Sequence, residues 1–268
     1  MNGSQTINTD ILPSAFLDSN ILVMLFQFWD TCTCANIRLD DVCDWKDLKD
    51  ALKSAGAATD ALNADDAKFV KSGMKSFQIL HGASNSGYLF RSSRVCWSEV
   101  HHVFLEARGL ERLIRLGVPH SLRVKRPQVL YRGSLQEVDY EQLDKDLETF
   151  RDELKMEYGI DVIDVEDLSA GLGVVPDSIW DIAKVVWSHV LIEVIDAYVY
   201  SASIRIEADV FVTSDGSLTD ALKQLRNPDS DWIALVTSLR KELGVEPDIE
   251  LPLPLSPTTD LPNNPRSS

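Results

Sequence analysis

The stretch Ala15-Phe16-Leu17-Asp18-Ser19-Asn20-Ile21-Leu22 decides how the rest of the chain is read. Three apolar residues end in an acid, a polar pair follows, and apolar residues then resume at helical spacing. That order predicts a short buried strand over 15–18 and a helix over 21–29. In open α/β sheets, ligands and ions gather just beyond the carboxyl ends of the strands. An aspartate at that point is well placed to hold a cation. Taken alone, one such Asp is best explained by an ordinary turn, so its weight rests on acids at comparable positions downstream.

Outward from this stretch, strand-like and helical runs alternate. Helices are expected over 44–54, over 64–80 with Asp60 or Asn63 as a cap, and over 96–116, where Gly117 precedes Pro119. Further helices are expected over 136–158, over 176–207 with one break, and over 230–243. Strands are expected at 129–131, at 159–165 and at 209–213, the last closing on Ser214-Asp215-Gly216. The Gly/Ser/Asn cluster from Gly82 to Gly87 reads as a loop. Such alternation favours a parallel sheet wrapped by helices. Six of the eleven prolines fall at or after Pro247, so 246–268 is expected to be an extended or disordered tail and a possible peptide ligand. A flexible start over 1–13 and one domain over 14–245 complete the expected organisation.

Composition excludes several classes. With 268 residues and 44% hydrophobic content the chain can build a sizeable core. A net charge of −16 argues against a generally basic nucleic-acid coat and leaves room for a local basic strip. Four cysteines, Cys32, Cys34, Cys43 and Cys96, are too few and too uneven for a disulfide framework, and their spacing, with His101 and His102 near Cys96, fits no standard zinc module. A reducing cytoplasm is the expected compartment, since no signal-peptide pattern is evident either. The apolar run 185–204 is long enough to span a bilayer, but Glu193 and Asp196 near its middle would each cost roughly 2.5–3.5 kcal/mol there. A buried helix is the better reading. No Gly-rich phosphate loop is present, and Asp18-Ser19-Asn20 lacks the second Asp of an aspartyl-phosphate phosphatase.

Acids recur where chemistry would need them. In 185–204, fourteen of twenty residues are apolar and Glu193 and Asp196 are the only formal charges. A carboxylate buried there without a partner must protonate or meet a cation; reaching solvent or pairing with a distant arginine are the alternatives. Asp215 follows a buried strand in a Thr-Ser-Asp-Gly turn, where an Asx-turn or cap is the plain reading. Glu99 lies one turn into a helix, where acids are favoured by the dipole. Several carboxylates forced together repel one another, and a hard ion such as Mg²⁺ or Mn²⁺ relieves that repulsion. Such an ion lowers the pKa of a bound water and so supplies a nucleophile.

The order Asp18-x-Asn20 after a strand, Glu99 in a Ser-rich helix entry, helical Asp196 followed by Ala197, and Thr213-Ser214-Asp215 nineteen residues after Asp196 resembles the PIN-domain family. That family of metal-dependent ribonucleases includes the VapC toxins and several eukaryotic RNA-processing nucleases. The resemblance implies a three-layer α/β fold, here with insertions at about 30–90 and 120–158. It implies Asp18, Glu99, Asp196 and Asp215 as catalytic, metal-binding acids, joined by Glu193, with Asn20, Thr213 and Ser214 in support. It implies Mg²⁺ or Mn²⁺ and an RNA substrate. A silent PIN-like module that binds RNA or protein, or a toxin held by an antitoxin-like partner, are the alternatives, and an oligomer is compatible with each. About eighty residues separate Asp18 from Glu99, so Glu106 or Glu111 are rival third acids, and Ser217 stands where the family often carries a fifth acid.

A basic strip supplies a place for RNA. Residues 91–132 carry nine Lys/Arg against three acids. Arg91, Arg94, Arg108, Arg112, Arg115, Arg123, Lys125 and Arg126 are the candidate phosphate contacts, with Arg108, Arg112 and Arg115 at helical spacing. A helix face paired with the acidic segment 137–157 is the alternative use of the same charges.

Overall fold

The computed structural model describes residues 12–56, 64–125, 127–167, 178–224, 251–257, 259 and 261–262. The expected caps at Asp60 and Asn63 and the expected helix over 230–243 lie outside the described residues. Strands β1 (Ser14–Leu17), β2 (Leu89–Ser92), β3 (Val162–Asp164), β4 (Val210–Val212) and β5 (Leu253–Leu255) form one sheet in the order β3-β2-β1-β4-β5. Every pairing is parallel. The chain builds outward from β1 through β2 to β3, then crosses back to lay β4 on the other side of β1. Register follows from the central strand, with Ala15 opposite both Phe90 and Val210.

Around the sheet stand α1 (Ser19–Cys34), α2 (Trp45–Ser54), α3 (Ala64–Asn85), α4 (Arg94–Arg115), α5 (His120–Lys125), α6 (Pro127–Ser134), α7 (Glu137–Tyr158), α8 (Ile179–His189), α9 (Val194–Arg205) and α10 (Gly216–Gln224). The expected α/β architecture of a parallel sheet flanked by helices is therefore present. β1 and β4 bury almost every side chain, as central parallel strands must. Phe16 of β1 stacks on Phe211 of β4 at 5.8 Å, and Tyr200 of α9 meets Phe211 edge-on at 5.3 Å. Under α1, Phe26 contacts Phe104 of α4 and Phe150 of α7 at 4.5 and 5.2 Å. No helix among the described residues is long and apolar enough to cross a membrane.

Helix α9 is buried from Ala197 to Ile204. Its serines remain tolerable inside because they bond back to their own helix, Ser201 Oγ to the Ala197 carbonyl and Ser203 Oγ to the Tyr200 carbonyl, both at 2.6 Å. The expected break in 176–207 falls between His189 and Val194, where Glu193 has extended backbone (φ −67°, ψ 152°) and caps α9 instead of lying within it.

Three expectations are corrected. Residues 129–131 are not a strand; they lie in α6, which begins at Pro127, a residue whose fixed φ suits a first helical turn. Gly109 lets α6 approach α4, because a Cβ there would stand 2.7 Å from the Tyr131 Cβ. The Gly82–Gly87 cluster is not all loop; α3 runs through Gly82 to Asn85, and the turn is made by Gly87 at φ +85°. The Pro-rich segment is not a free tail over its described part, because Leu253–Leu255 is an edge strand of the sheet.

The sequence Leu251-Pro252-Leu253-Pro254-Leu255 explains that last result. Groups on a strand alternate sides, and the leucines face β4: Leu253 N–H donates to the Asp209 carbonyl and Thr213 N–H to the Leu255 carbonyl, each at 3.0 Å. The prolines occupy the outward positions, where a missing N–H removes a donor from the exposed edge. Beyond the strand, Leu261 packs on the core and the Tyr88 hydroxyl donates to the Pro262 carbonyl.

The α1–α3 crossing is equally constrained. A Cβ on Gly73 would lie 2.0 Å from the Met24 carbonyl oxygen, whereas one on Gly82, in the same helix, meets nothing within 4 Å. Gly73→Ala should therefore destabilise the protein by about 2–3 kcal/mol through forced separation of α1 and α3. Gly82→Ala should stabilise it by about 0.5 kcal/mol through helix propensity. Urea midpoints of the two variants check the pair, and equal midpoints would contradict this packing.

Candidate metal centre

The direction of strand addition reverses between β1 and β4, and the segments that follow these two strands meet there. Such a reversal opens a crevice at the carboxyl ends of the strands. Asp18 is 5% exposed at that point and caps α1. Its Oδ1 accepts from the Ser19 N–H at 2.7 Å, and its Oδ2 accepts from Asn20 Nδ2 at 2.8 Å and Thr213 Oγ1 at 2.7 Å. Asn20 extends the web, donating to Thr213 Oγ1 at 3.1 Å and accepting from the Ser214 N–H at 2.9 Å. The Asp215 N–H donates to Thr213 Oγ1 at 3.1 Å. Asp18, Asn20, Thr213, Ser214 and Asp215, widely separated in sequence, are thus one hydrogen-bonded unit.

The other acids approach from two helices. Asp196 lies in the first turn of α9 and is half-buried. Glu99, in the second turn of α4, is half-buried as well. Neither carboxylate has a hydrogen-bond or ion-pair partner among the described residues. Burial pushes Asp196 up to about 6, helped by the charges of Asp18, Glu193, Asp215 and Glu99 in that order. Asp18 is also held above the ordinary carboxyl range, chiefly by burial, against the hydrogen bonds from Thr213 and Ser19 and with added repulsion from Glu99. Asp215 goes the other way, because Ser217 Oγ at 2.7 Å and the Leu218 N–H at 3.0 Å stabilise its charge. Ser217, in place of a fifth acid, thus holds Asp215 ionised.

All five acids named from the sequence therefore act on Asp196 or are Asp196 itself. The rival third acids differ: Glu111 is bound to Arg115 at 2.7 Å, and Glu106, like Glu111, is absent from the charges that act most on Asp18 and Asp196. Among the described residues, no three His, Cys, Asp or Glu side chains form a group that could close around a metal ion as they stand. The donor set nevertheless suits a hard divalent ion, since every donor is oxygen and the raised Asp196 records repulsion that a cation would relieve.

Asp164, at the carboxyl end of β3, escaped the sequence reading. It is buried and sits opposite Ser92 in register, but Arg151 neutralises it at 3.3 Å. The alternation Val162-Ile163-Asp164 was its available signal. Neighbouring serines build the floor of the crevice: Ser92 Oγ donates to the Leu17 carbonyl at 2.9 Å, and Ser93 Oγ accepts from the Cys96 N–H at 3.2 Å to cap α4. Burial and the Asp18 charge push the Cys96 thiol up to about 12, so Cys96 is no thiolate nucleophile.

The basic strip is divided. Arg108 and Arg112 take the intramolecular alternative, pairing with Asp146 at 2.5 Å and Asp139 at 2.6 Å and so joining α4 to α7. Arg115 pairs with Glu111, and Arg123 Nε donates to the Val118 carbonyl at 3.1 Å. Arg91 is half-buried and donates to the Phe90 carbonyl at 2.9 Å, while Arg94 is exposed at the start of α4. The Lys125 side chain and Arg126 lie outside the described residues. No family model, no curated protein and no solved structure matches this chain.

The raised Asp196 has a consequence for stability. A carboxyl whose folded value exceeds its unfolded value favours the fold below the unfolded value, and that contribution is lost as pH rises through about 6. Asp196→Asn removes the penalty of ionisation. Its melting temperature should exceed that of the wild type by roughly 2–6 °C at neutral pH, with the difference closing below about pH 5. Differential scanning calorimetry at the two pH values checks the sign, and a lower melting temperature at neutral pH would contradict it.

Proposed function

We propose that this chain is a Mg²⁺- or Mn²⁺-dependent endoribonuclease of PIN-like type. The observation that carries the reading is the convergence of Asp18, Glu99, Glu193, Asp196 and Asp215 at the β1–β4 crevice, where burial first and the charges of the other four acids second lift Asp196 to about 6. Acids held in repulsion at a sheet crossover are costly to a fold, and they make sense where they serve chemistry. The parallel order β3-β2-β1-β4-β5 is consistent with a PIN-like layout without being peculiar to it.

In this reading Asp196, Asp215, Glu99 and Asp18 would hold the ion, with Glu193 at the rim. The ion, when bound, supplies a water of lowered pKa and offsets charge on the leaving oxygen. The chain's own residues set the stage for that step. Ser19, Asn20 and Thr213 fix the Asp18 carboxylate in one orientation, and Ser217 and the Leu218 N–H turn Asp215 and keep it ionised. Asp196 and Glu99, with no partner among the described residues, remain available to a ligand. RNA phosphates would be met by Arg91, Arg94, Arg115 and Arg123, with Lys125 and Arg126; Arg108 and Arg112 serve the fold instead.

Wild type should cleave single-stranded RNA with Mn²⁺ or Mg²⁺ and stop in EDTA, and Asp18→Asn or Asp196→Asn should slow cleavage by about 100-fold or more. Gel analysis of labelled RNA is the measurement. Cleavage by Asp196→Asn at the wild-type rate would remove Asp196 from the site. No cleavage by wild type on any RNA would turn the reading toward a silent binding module.

A further inference from the structure

At the edge of the sheet, two strands from β1, a pocket of about 150 Å³ lies between α7 and β3. Arg151, Asp152 and Lys155 line it from α7, Trp97 from the first turn of α4, and Ile160 and Val162 from the entry to β3. A cavity of this size accommodates one six-membered ring. Trp97 is nine-tenths buried, and its Nε1–H has no partner among the described residues. Trp29 on α1, also buried, spends its Nε1–H on Glu153 at 2.8 Å. A donor left over inside a protein costs about 1–3 kcal/mol.

Arg151 is underused as well. Its guanidinium lies over the Trp97 ring, 4.6 Å from the centroid. Its Nη2 reaches the Val162 carbonyl at 3.4 Å and Asp164 Oδ2 at 3.3 Å, both long for hydrogen bonds, and Asp164 Oδ1 has no partner among the described residues. Those two contacts leave most of the guanidinium's donors unspent. Charge narrows the choice of occupant. Lys155 is paired with Asp161 at 2.9 Å and Arg151 with Asp164, so Asp152 supplies the surplus charge, on a chain of net −16. An anion gains little there. The complement of this wall is an uncharged planar ring that offers carbonyl oxygens.

We infer that this pocket binds a uracil-type base, whose ring carbonyls accept from Trp97 Nε1–H and from Arg151. Uracil carries two carbonyl acceptors on a single ring. Cytosine replaces one of them with an amino donor, which would face donors here. In a site built of hydrogen-bond donors, that exchange loses a bond and leaves a buried group unpaired. The base can belong to a free nucleoside or to an RNA strand, and the same wall reads both. The pocket stands apart from the acid crevice, and base binding does not rest on RNA cleavage.

The test titrates uridine into the full chain, labelled with ¹⁵N at its tryptophan indoles and kept in EDTA, and follows the indole signals by NMR. The Trp97 signal, identified as the one missing from Trp97→Phe, should shift, and those of the other five tryptophans should not. Cytidine should bind about tenfold more weakly than uridine in isothermal titration calorimetry. Trp97→Phe keeps a ring beneath Arg151 and removes the donor; it should weaken uridine binding about tenfold. Arg151→Lys keeps a charge beside Asp164 and should weaken it similarly, which gives a second, independent variant. Arg38→Met, at an exposed arginine far along the chain, should leave binding unchanged. A Trp97 shift with oligouridylate, with or without one from uridine, assigns the base to an RNA strand, and a shift with uridine alone assigns a free nucleoside. No Trp97 shift with either overturns the inference. So does equal binding of uridine and cytidine, undiminished binding by either folded variant, or the same Trp97 shift with inorganic phosphate. Failure here leaves the cleavage experiment untouched, and failure there leaves this one.

Discussion

The structure depends on the parallel pairing of β1 with β4, and on the buried carboxylate that closes it. The Asp18 N–H donates to the Val212 carbonyl at 3.0 Å, continuing the ladder, while Thr213 Oγ1 donates to its carboxylate across 195 residues of chain. Everything between these strands must leave the sheet on the β2–β3 side and return on the other. That return creates the crevice and brings α9, with Asp196, alongside it. Without the Thr213 and Asn20 hydrogen bonds, Asp18 would be a buried charge with only the Ser19 N–H and hydroxyl for support, at a cost of a few kcal/mol.

The same pairing fixes the C-terminal end of the molecule. β4 is central only because β5 covers its far edge, and β5 can end the sheet because its prolines offer no outward donors. Thr213 is held from both sides, its N–H by the Leu255 carbonyl and its hydroxyl by Asp18. The last strand thus contributes to the orientation of the acid site without supplying an acid. Stability and site share one set of contacts, and the repulsion at Asp196 draws on the stability that the sheet provides.

Much of this was legible in the sequence, and the failures have physical causes. The run Ala15–Leu22 announced β1, its acid and α1, because a buried central strand is continuously apolar and a helix is periodic. The run 209–213 announced β4 for the same reason. Gly117 marked a helix end and has positive φ, whereas Gly159, expected to open a strand, caps the end of α7 with positive φ. The Leu-Pro alternation of 251–255 misled because proline counts against strands in general and is excluded only where its N–H would be needed. Residues 129–131 misled because three apolar residues carry no period, and the decisive contact was the absent side chain of Gly109 on another helix. Glu193 was placed on a helix face when it caps the helix, since sequence locates helix ends to within a few residues at best. The arginine stripe was seen, but only the fold could show that Asp139 and Asp146 of α7 meet it. Asp164 was passed over because its neutralising partner, Arg151, belongs to a different element.

The central claim is that the crevice acids share one electrostatic site. The most direct measurement is the side-chain carboxyl titration of Asp196 by ¹³C NMR, in wild type and in Asp18→Asn. The wild-type carboxyl should titrate near pH 6 and move toward the ordinary carboxylate range when the Asp18 charge is removed. An Asp196 that titrates at its ordinary value in the wild type, or that is indifferent to Asp18→Asn, would contradict the account.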